Sequence, residues 1–376
     1  MIVKSNEFKN ACQEILSALD TKKENEVLFA RVLELIAEGT TLRLNVTNLE
    51  YYVTKVITLD EAVAPFRAAV DAKKFLSLVA KITTDTIELI CSGNTLVVNC
   101  NGEYKLPMIY NNDVLVSLPE ITIDTVTDTV VVPNEALQSI VTYNTKELAR
   151  SITTADTADA RKRYYIDKWG CVTATSGCCV NSFTTPLQTE IKLAIKDEIV
   201  KLFKLFKNTD AVTLTLGTTT VGTIEHKRLK LATDTTELAV MLEPNMDDLI
   251  RQIPVARSRE LVGKALPYTI EIEKQYLLEA IGRILLVSNT TTIGEVTVSG
   301  DSLILKDLSR ENSELLTLCS NSNPEVAYTM KINLKTVEKI VSGTTATNVV
   351  ISFGNNKHVL FKNNNVIDFI GEVVTR

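Results

Sequence analysis

The sequence has little imidazole. His226 and His358 are its only histidines, so acid–base chemistry built on the side chain that titrates nearest neutral pH has almost no material. Cysteine is present but not arranged. Cys12, Cys91, Cys100, Cys171, Cys178, Cys179 and Cys319 form no pair of CxxC motifs and no Cys/His cluster, which argues against a structural or catalytic metal. Their odd number predicts free thiols in a reducing compartment. No run of about 18 apolar residues occurs, so no membrane-spanning helix is expected. The N-terminal residues Met1-Ile2-Val3-Lys4-Ser5-Asn6-Glu7 lack the apolar core of a signal peptide. Together these features predict a cytoplasmic protein. Phosphate-cradling loops of the GxxxxGK[ST] or GxGxxG kind are missing as well, and no cofactor is expected.

What is there is an ordinary globular composition on a long chain. The 376 residues are 45% hydrophobic and 23% charged, which excludes disorder for most of the chain. Two to three domains are expected at this length. Lys and Arg number 40 against 46 Asp and Glu, a net charge of −6. That excludes a wholly basic nucleic-acid binder but leaves room for a basic strip on an acidic body.

Self-similarity is the most informative pattern. An amphipathic helix, a turn and two strands recur three times: Ala72–Ile82 with Thr86–Cys91 and Thr95–Cys100; Ile195–Phe206 with Val212–Leu216 and Thr220–His226; Asn333–Val341 with Asn348–Phe353 and His358–Phe361. The helix starts at 72, 195 and 333 lie 123 and 138 residues apart. A second family of helices begins near Asn6, Pro133 and Glu273 and keeps step with the first. Three domains follow, 1–125, 126–255 and 256–376, joined through Asn111–Asp128 and Pro254–Pro267, which have turn residues and little helical periodicity. Thr41–Val46, Thr213–Leu216 and Glu295–Ser299 alternate apolar and polar residues, the pattern of strands with one wet face. The expected class is α+β, with two helices per domain on antiparallel sheets.

The first helix family has a polarity. Phe75, Leu78, Val79 and Ile82 share one face, while Lys73, Lys74, Ser77 and Lys81 share the other. In the second repeat Ile195, Ile199, Leu202, Phe203 and Phe206 oppose Lys201, Lys204 and Lys207; in the third Leu334, Val337, Ile340 and Val341 oppose Lys335 and Lys339. The other helix family places Lys9, Lys146, Arg150 and Arg283 away from its apolar stripes. A single lysine face is what any solvated helix looks like. Its recurrence at equivalent places predicts a segregated positive strip that holds phosphate backbone without reading bases. No aromatic residue interleaves with these lysines, so stacking on single strands is not signalled.

At this point the residues resemble the bacterial DNA polymerase III β subunits, the sliding clamps. Thr47-Asn48-Leu49-Glu50 is close to that family's T-D-L-E, and Val70-Asp71-Ala72-Lys73-Lys74-Phe75 to its V-x-A-[KR]-K-F. Arg163-Tyr164-Tyr165-Ile166 is similar to R-Y-Y-L, Ala174-Thr175-Ser176-Gly177 to A-T-D-G, and Arg283 to Asn289 to the helix end R-x-x-I-L-S-N. Their order and spacing extend the resemblance over the whole chain. It implies a head-to-tail homodimer, a closed ring of six domains around double-stranded DNA whose helices line the hole. Polymerase and clamp loader would be held through short peptide motifs. On the resemblance, Tyr104 and Leu106 meet the partner's Leu286 and Val287. A partner-peptide cleft falls on Ile166, Thr175, Gly177, Cys178, Cys179, Val180, Pro244, Phe369 and Gly371.

The sequence departs from the family at that cleft. Where the family has A-T-D-G-H-R-L, the chain reads Ala174-Thr175-Ser176-Gly177-Cys178-Cys179-Val180; the Tyr165–Thr175 hairpin is short; Asn245–Pro267 is longer than usual; and the C-terminus is Glu372-Val373-Val374-Thr375-Arg376. Enzymatic readings are weaker. Cys178 has no base placed beside it by any motif. The acidic pairs Asp197-Glu198 and Asp247-Asp248 are what helix starts usually carry. A clamp-like protein-interaction module that has lost DNA encirclement remains the alternative. The retained lysine faces distinguish the two.

Overall fold

The computed structural model describes residues 1–19, 27–142, 163–167, 170–176, 179–183, 191–244, 246–252, 255–288, 291–354, 358–363 and 366–371. They form two compact units, Met1–Glu135 with Lys201–Pro244, and Ala136–Val200 with Asn245–Arg376. This division cuts across the expected thirds, because each unit holds a sheet built from distant stretches of chain.

The first unit begins with β1 (Ile2–Lys4), α1 (Ser5–Leu16), β2 (Val32–Thr47), β3 (Tyr51–Asp71), α2 (Ala72–Val79), β4 (Thr86–Ser92), β5 (Thr95–Asn99) and β6 (Glu103–Pro107). A small hairpin, β7 (Tyr110–Asn111) and β8 (Val114–Leu115), leads to β9 (Thr125–Pro133). The chain continues through α3 (Asn134–Thr142), β10 (Arg163–Asp167), β11 (Gly170–Ser176), β12 (Cys179–Phe183), β13 (Leu193–Lys196) and α4 (Asp197–Leu202). It then returns to the first unit with β14 (Ala211–Val221), β15 (Ile224–Ala232) and β16 (Thr236–Met241). Two antiparallel sheets result, in the orders β1-β4-β5-β6 and β2-β3-β16-β15-β14-β9.

The second unit adds α5 (Met246–Gln252), α6 (Val255–Val262), β17 (Tyr268–Glu273), α7 (Lys274–Val287), β18 (Ile293–Ser299), β19 (Ser302–Asp307), β20 (Ser313–Thr317), β21 (Ser320–Asn321) and β22 (Tyr328–Asn333). It ends with α8 (Leu334–Gly343), β23 (Asn348–Gly354), β24 (His358–Asn363) and β25 (Val366–Gly371). Its sheets run β13-β10-β11-β12-β25-β24-β23-β17-β21 and β20-β19-β18-β22.

One arrangement recurs in these orders. β1-β4-β5-β6, β9-β14-β15-β16 and β17-β23-β24-β25 are the same four-strand run, each opening on a strand that feeds a helix. β13-β10-β11-β12 and β22-β18-β19-β20 are likewise equivalent. Two joints link runs of different origin: β16 pairs β3 from Thr236↔Lys55 to Val240↔Tyr51, and β12 pairs β25 from Cys179↔Ile370 to Phe183↔Val366. At the first joint Lys55 reaches both Glu14, at 2.5 Å, and Thr236 Oγ1, at 2.8 Å.

Local chemistry accounts for the elements. Asp71 and Asn333 cap α2 and α8 by accepting from the Lys74 and Thr336 backbone N–H groups. In β2, Leu42, Leu44 and Val46 alternate into the core. The helices close over the sheets with apolar faces; Phe8 of α1 meets Phe75 of α2 edge-on, ring centroids 6.0 Å apart. In the second unit α7 and α8 bury Leu277, Ile281, Ile284, Val337, Ile340 and Val341 against strand residues such as Ile270, Val296 and Phe361.

Two expectations need correction. The β14–β15 turn lies at Gly222, where φ is +65°, because the β-branched run Thr218–Thr220 extends the strand instead of ending it. The stretch Pro254–Pro267, read as a helix-poor join, contains α6; a helix this short has too few turns to display periodicity, and tertiary contacts fix it. No helix among the described residues is long and apolar enough to cross a membrane.

Candidate DNA and partner interfaces

The lysine faces follow from helix packing. In α2, Phe75, Leu76 and Val79 are buried, which turns Lys73 and Lys74 outward, and Lys81 is exposed just beyond the helix end. α4 continues into a 3-10 turn, Phe203–Phe206. Ile199, Leu202, Phe203 and Phe206 are buried there, so Lys204 and Lys207 are exposed and Lys201 is half-buried. On α8 Lys335 is exposed and Lys339 half-buried, and on α1 Lys9 is half-buried. Lys146 and Arg150 lie outside the described residues.

Arg283 differs from the lysines. Its guanidinium is engaged within the chain, Nε 2.7 Å and Nη2 3.2 Å from the two carboxylate oxygens of Glu314. The Arg283 bond holds the Glu314 carboxyl below its ordinary range. One cation escaped the sequence reading. Arg31, exposed on the turn before β2, lines an open pocket of about 180 Å³ with Lys73, Lys74 and Asp71. It sits outside any helical period, so no pattern marked it.

The cleft positions sort by register. Directly opposed antiparallel residues share a sheet face, and alternate residues do too. Tyr165, Val172, Ser182 and Ile367 form one row; Ala174, Val180, Phe369 and Leu360 form the next on the same face. Val180, Phe369 and Gly371 therefore share the face of Tyr165 and Asp167. Ile166 belongs to the row of Cys171 and Phe183 on the opposite face, and its side chain is buried. Thr175 falls at the register shift between Ala174 and Ser176. Cys179 pairs Ile370, on the face opposite Val180. Gly177 and Cys178 lie outside the described residues, and Pro244 is exposed in the first unit.

Two edge strands carry exposed apolar residues. β6 ends the first four-stranded sheet and bears Tyr104, 41% exposed, and half-buried Leu106. β20 ends the last sheet and bears Leu315, 70% exposed, with Leu286 at 86% and Val287 at 46% on the last turn of α7. Long exposed apolar edges are normally covered. Leu315 was not legible in the sequence, because adjacent Leu315 and Leu316 leave open which one faces outward.

No protein-family model matches the sequence, and no curated protein matches it. Solved structures do. The DNA polymerase III subunit beta from Pseudomonas aeruginosa superposes with a TM-score of 0.78 at 15% identity, covering 100% of both chains. The beta subunit from Thermotoga maritima gives 0.76 at 14% identity, and the sliding clamp from Bacillus subtilis 0.74 at 12%, each covering 100% of this chain and 99% of the other. The chain has the bacterial sliding-clamp fold. Sliding clamps are not enzymes. At this identity the likeness shows the fold, and the shared short motifs are read by their local chemistry. Thr47-Asn48-Leu49-Glu50, for instance, is turn chemistry: Asn48 Oδ1 accepts from Glu50 and Tyr51 N–H at 2.9 and 3.0 Å, and Leu49 has φ +73°.

Proposed function

We propose that this chain is a DNA sliding clamp that closes as a head-to-tail homodimer, encircles duplex DNA in the cytoplasm and tethers a replicative polymerase. The domains are 1–125, 126–255 and 256–376. The observation that carries this reading is a pair of unfilled sheet edges, β6 and β20. β16 and β25 are the last strands of equivalent four-strand runs, and each pairs with a strand from another run, β3 and β12. β6 is the third strand of the first kind, and β20 is the counterpart of β12. Among the described residues neither has a neighbour on its outer side. Joining β6 of one protomer to β20 of the next repeats the internal joint. Because that contact is head-to-tail, two copies close a ring when the rotation permits.

The mechanism is topological. A ring holds its polymerase on DNA by enclosure, so affinity for any one site is not needed. Lysines at Lys74, Lys81, Lys204, Lys207 and Lys335 supply mobile point charges that neutralise phosphate without reading sequence. Base-specific contacts would oppose sliding. Polymerase and loader peptides are expected at the β12–β25 joint.

Negative-stain electron microscopy with light scattering on the same sample tests the assembly. A ring of six lobes at twice 41.5 kDa is expected; a particle of 41.5 kDa without a hole overturns stable encirclement. Replacing Lys74, Lys81, Lys201 and Lys204 by Glu should lower processive synthesis and flatten the salt dependence of DNA binding by about one slope unit per lost phosphate contact. The dimer mass should not change. Unaltered processivity would remove these lysines from the DNA-facing surface.

A further inference from the structure

The helix α6 lies where a partner peptide would have to bind. It packs against β11, β12 and β25, the strands that carry Thr175, Val180, Phe369 and Gly371. The side it occupies is fixed by one residue. Arg259 of α6 places Nη2 2.6 Å from Oδ1 of Asp167, and its guanidinium carbon lies 6.0 Å from the centroid of the Tyr165 ring. Tyr165 and Asp167 share the sheet face of Val180, Phe369 and Gly371. Asp167 and Tyr165 are buried, and Leu360, in the row of Val180 and Phe369, is fully buried on that same face. Burial, with the Asp167 carboxylate beside it, pushes the Tyr165 phenol up to about 12.

We propose that α6 is an intramolecular cover over the β12–β25 face, latched by the Arg259–Asp167 pair, which a partner must lift to reach that face. The helix has eight residues. Among its described side chains only Leu261 and Val262 are buried, while Ala256 and Glu260 are exposed. Helices of this length have little stability of their own, and segments with few buried apolar groups open at a fraction of the global unfolding free energy. The polar latch thus holds a large share of what keeps α6 in place. It excludes partners that cannot displace it, and so sets specificity. Arg259 acts as a positioning residue.

The inference rests on the cleft reading only for the identity of the incoming partner. Hydrogen–deuterium exchange on the full-length chain needs no partner, and 1-anilinonaphthalene-8-sulfonate reports newly exposed apolar surface. Amides of residues 259–263 should exchange roughly tenfold or more faster than those of α7 and α8 in the wild type. Arg259→Ala should accelerate them further, leave α7 and α8 unchanged and raise dye fluorescence; Arg259→Lys, which keeps the charge, should fall between. If α6 exchanges no faster than α7 in the wild type, it is a fixed wall and the proposal is overturned. Faster α6 exchange with no gain in dye binding overturns the cover. Should Arg259→Ala loosen α7 and α8 as well, the wild-type comparison and Arg259→Lys decide. If the latch opens but no ring forms, the clamp reading fails and the cover stands.

Discussion

At the residue scale, a buried charge is held by its partners. Glu34 is 1% exposed in the middle of β2. Arg67 donates to its Oε1 from Nε and Nη2, at 3.1 and 2.7 Å, and Asn45 Nδ2 lies 3.4 Å from Oε2. Removing one partner of a buried pair costs more than the pair contributes, because the other charge is stranded. Arg67 is partly exposed, so water softens the loss. Arg67→Ala should cost about 2 kcal/mol, read as a lower denaturant midpoint at unchanged slope. A change under about 0.5 kcal/mol would mean that solvent already reaches Glu34. None of these contacts was legible in the sequence. Glu34 and Arg67 are 33 residues apart, and only the pairing of β2 with β3 brings them together.

At the scale of elements, the close approach of strands is set by single residues. Gly217 stands where the β9–β14 register shifts. A Cβ there would meet the Ile123 side chain and the Thr125 carbonyl oxygen at distances no real Cβ shows. The carbonyl belongs to the backbone and cannot turn away. Gly217→Ala should therefore cost about 1–3 kcal/mol, the range for overpacking, with thermal unfolding as the readout. A neutral substitution would mean that β9 shifts freely at its start. Helices were easier to read than such bulges. α2, α7 and α8 fall where amphipathic periodicity placed them, since a stripe of buried residues recurs every three to four positions. α6 was missed because eight residues hold barely two turns, and its apolar side is defined by the strands beneath it.

At the scale of the whole molecule, the outer sides of β6 and β20 are unpaired among the described residues, and exposed apolar side chains lie on or beside both edges. Leu286 and Leu315 are the two most exposed large apolar side chains of the chain's described residues. Burying such side chains contributes about 1.5–3 kcal/mol each. Leu286→Asp with Leu315→Asp should leave a folded monomer of 41.5 kDa by light scattering, with an unchanged circular dichroism spectrum. A dimer that survives both substitutions would place its interface elsewhere. The double variant should also lose processive synthesis, because an open ring cannot retain DNA. By the same logic, the Lys74, Lys81, Lys201 and Lys204 variant should lose processivity as a dimer.

Sequence alone determined the α+β class, the recurrence of helix and strand units, the lysine-bearing helix faces and, through short motifs in the right order, the clamp fold. These are local properties, since burial on one side of a helix or strand imposes a period that survives when identity falls to 15%. Tertiary structure decided the rest. It paired β16 with β3 and β12 with β25, put Ile166 and Val180 on opposite faces, engaged Arg283 with Glu314 and packed α6 against β11, β12 and β25. Strand register, ion pairing and the seat of a short helix join residues far apart in the chain. The free energy that fixes them arises only when both partners are present.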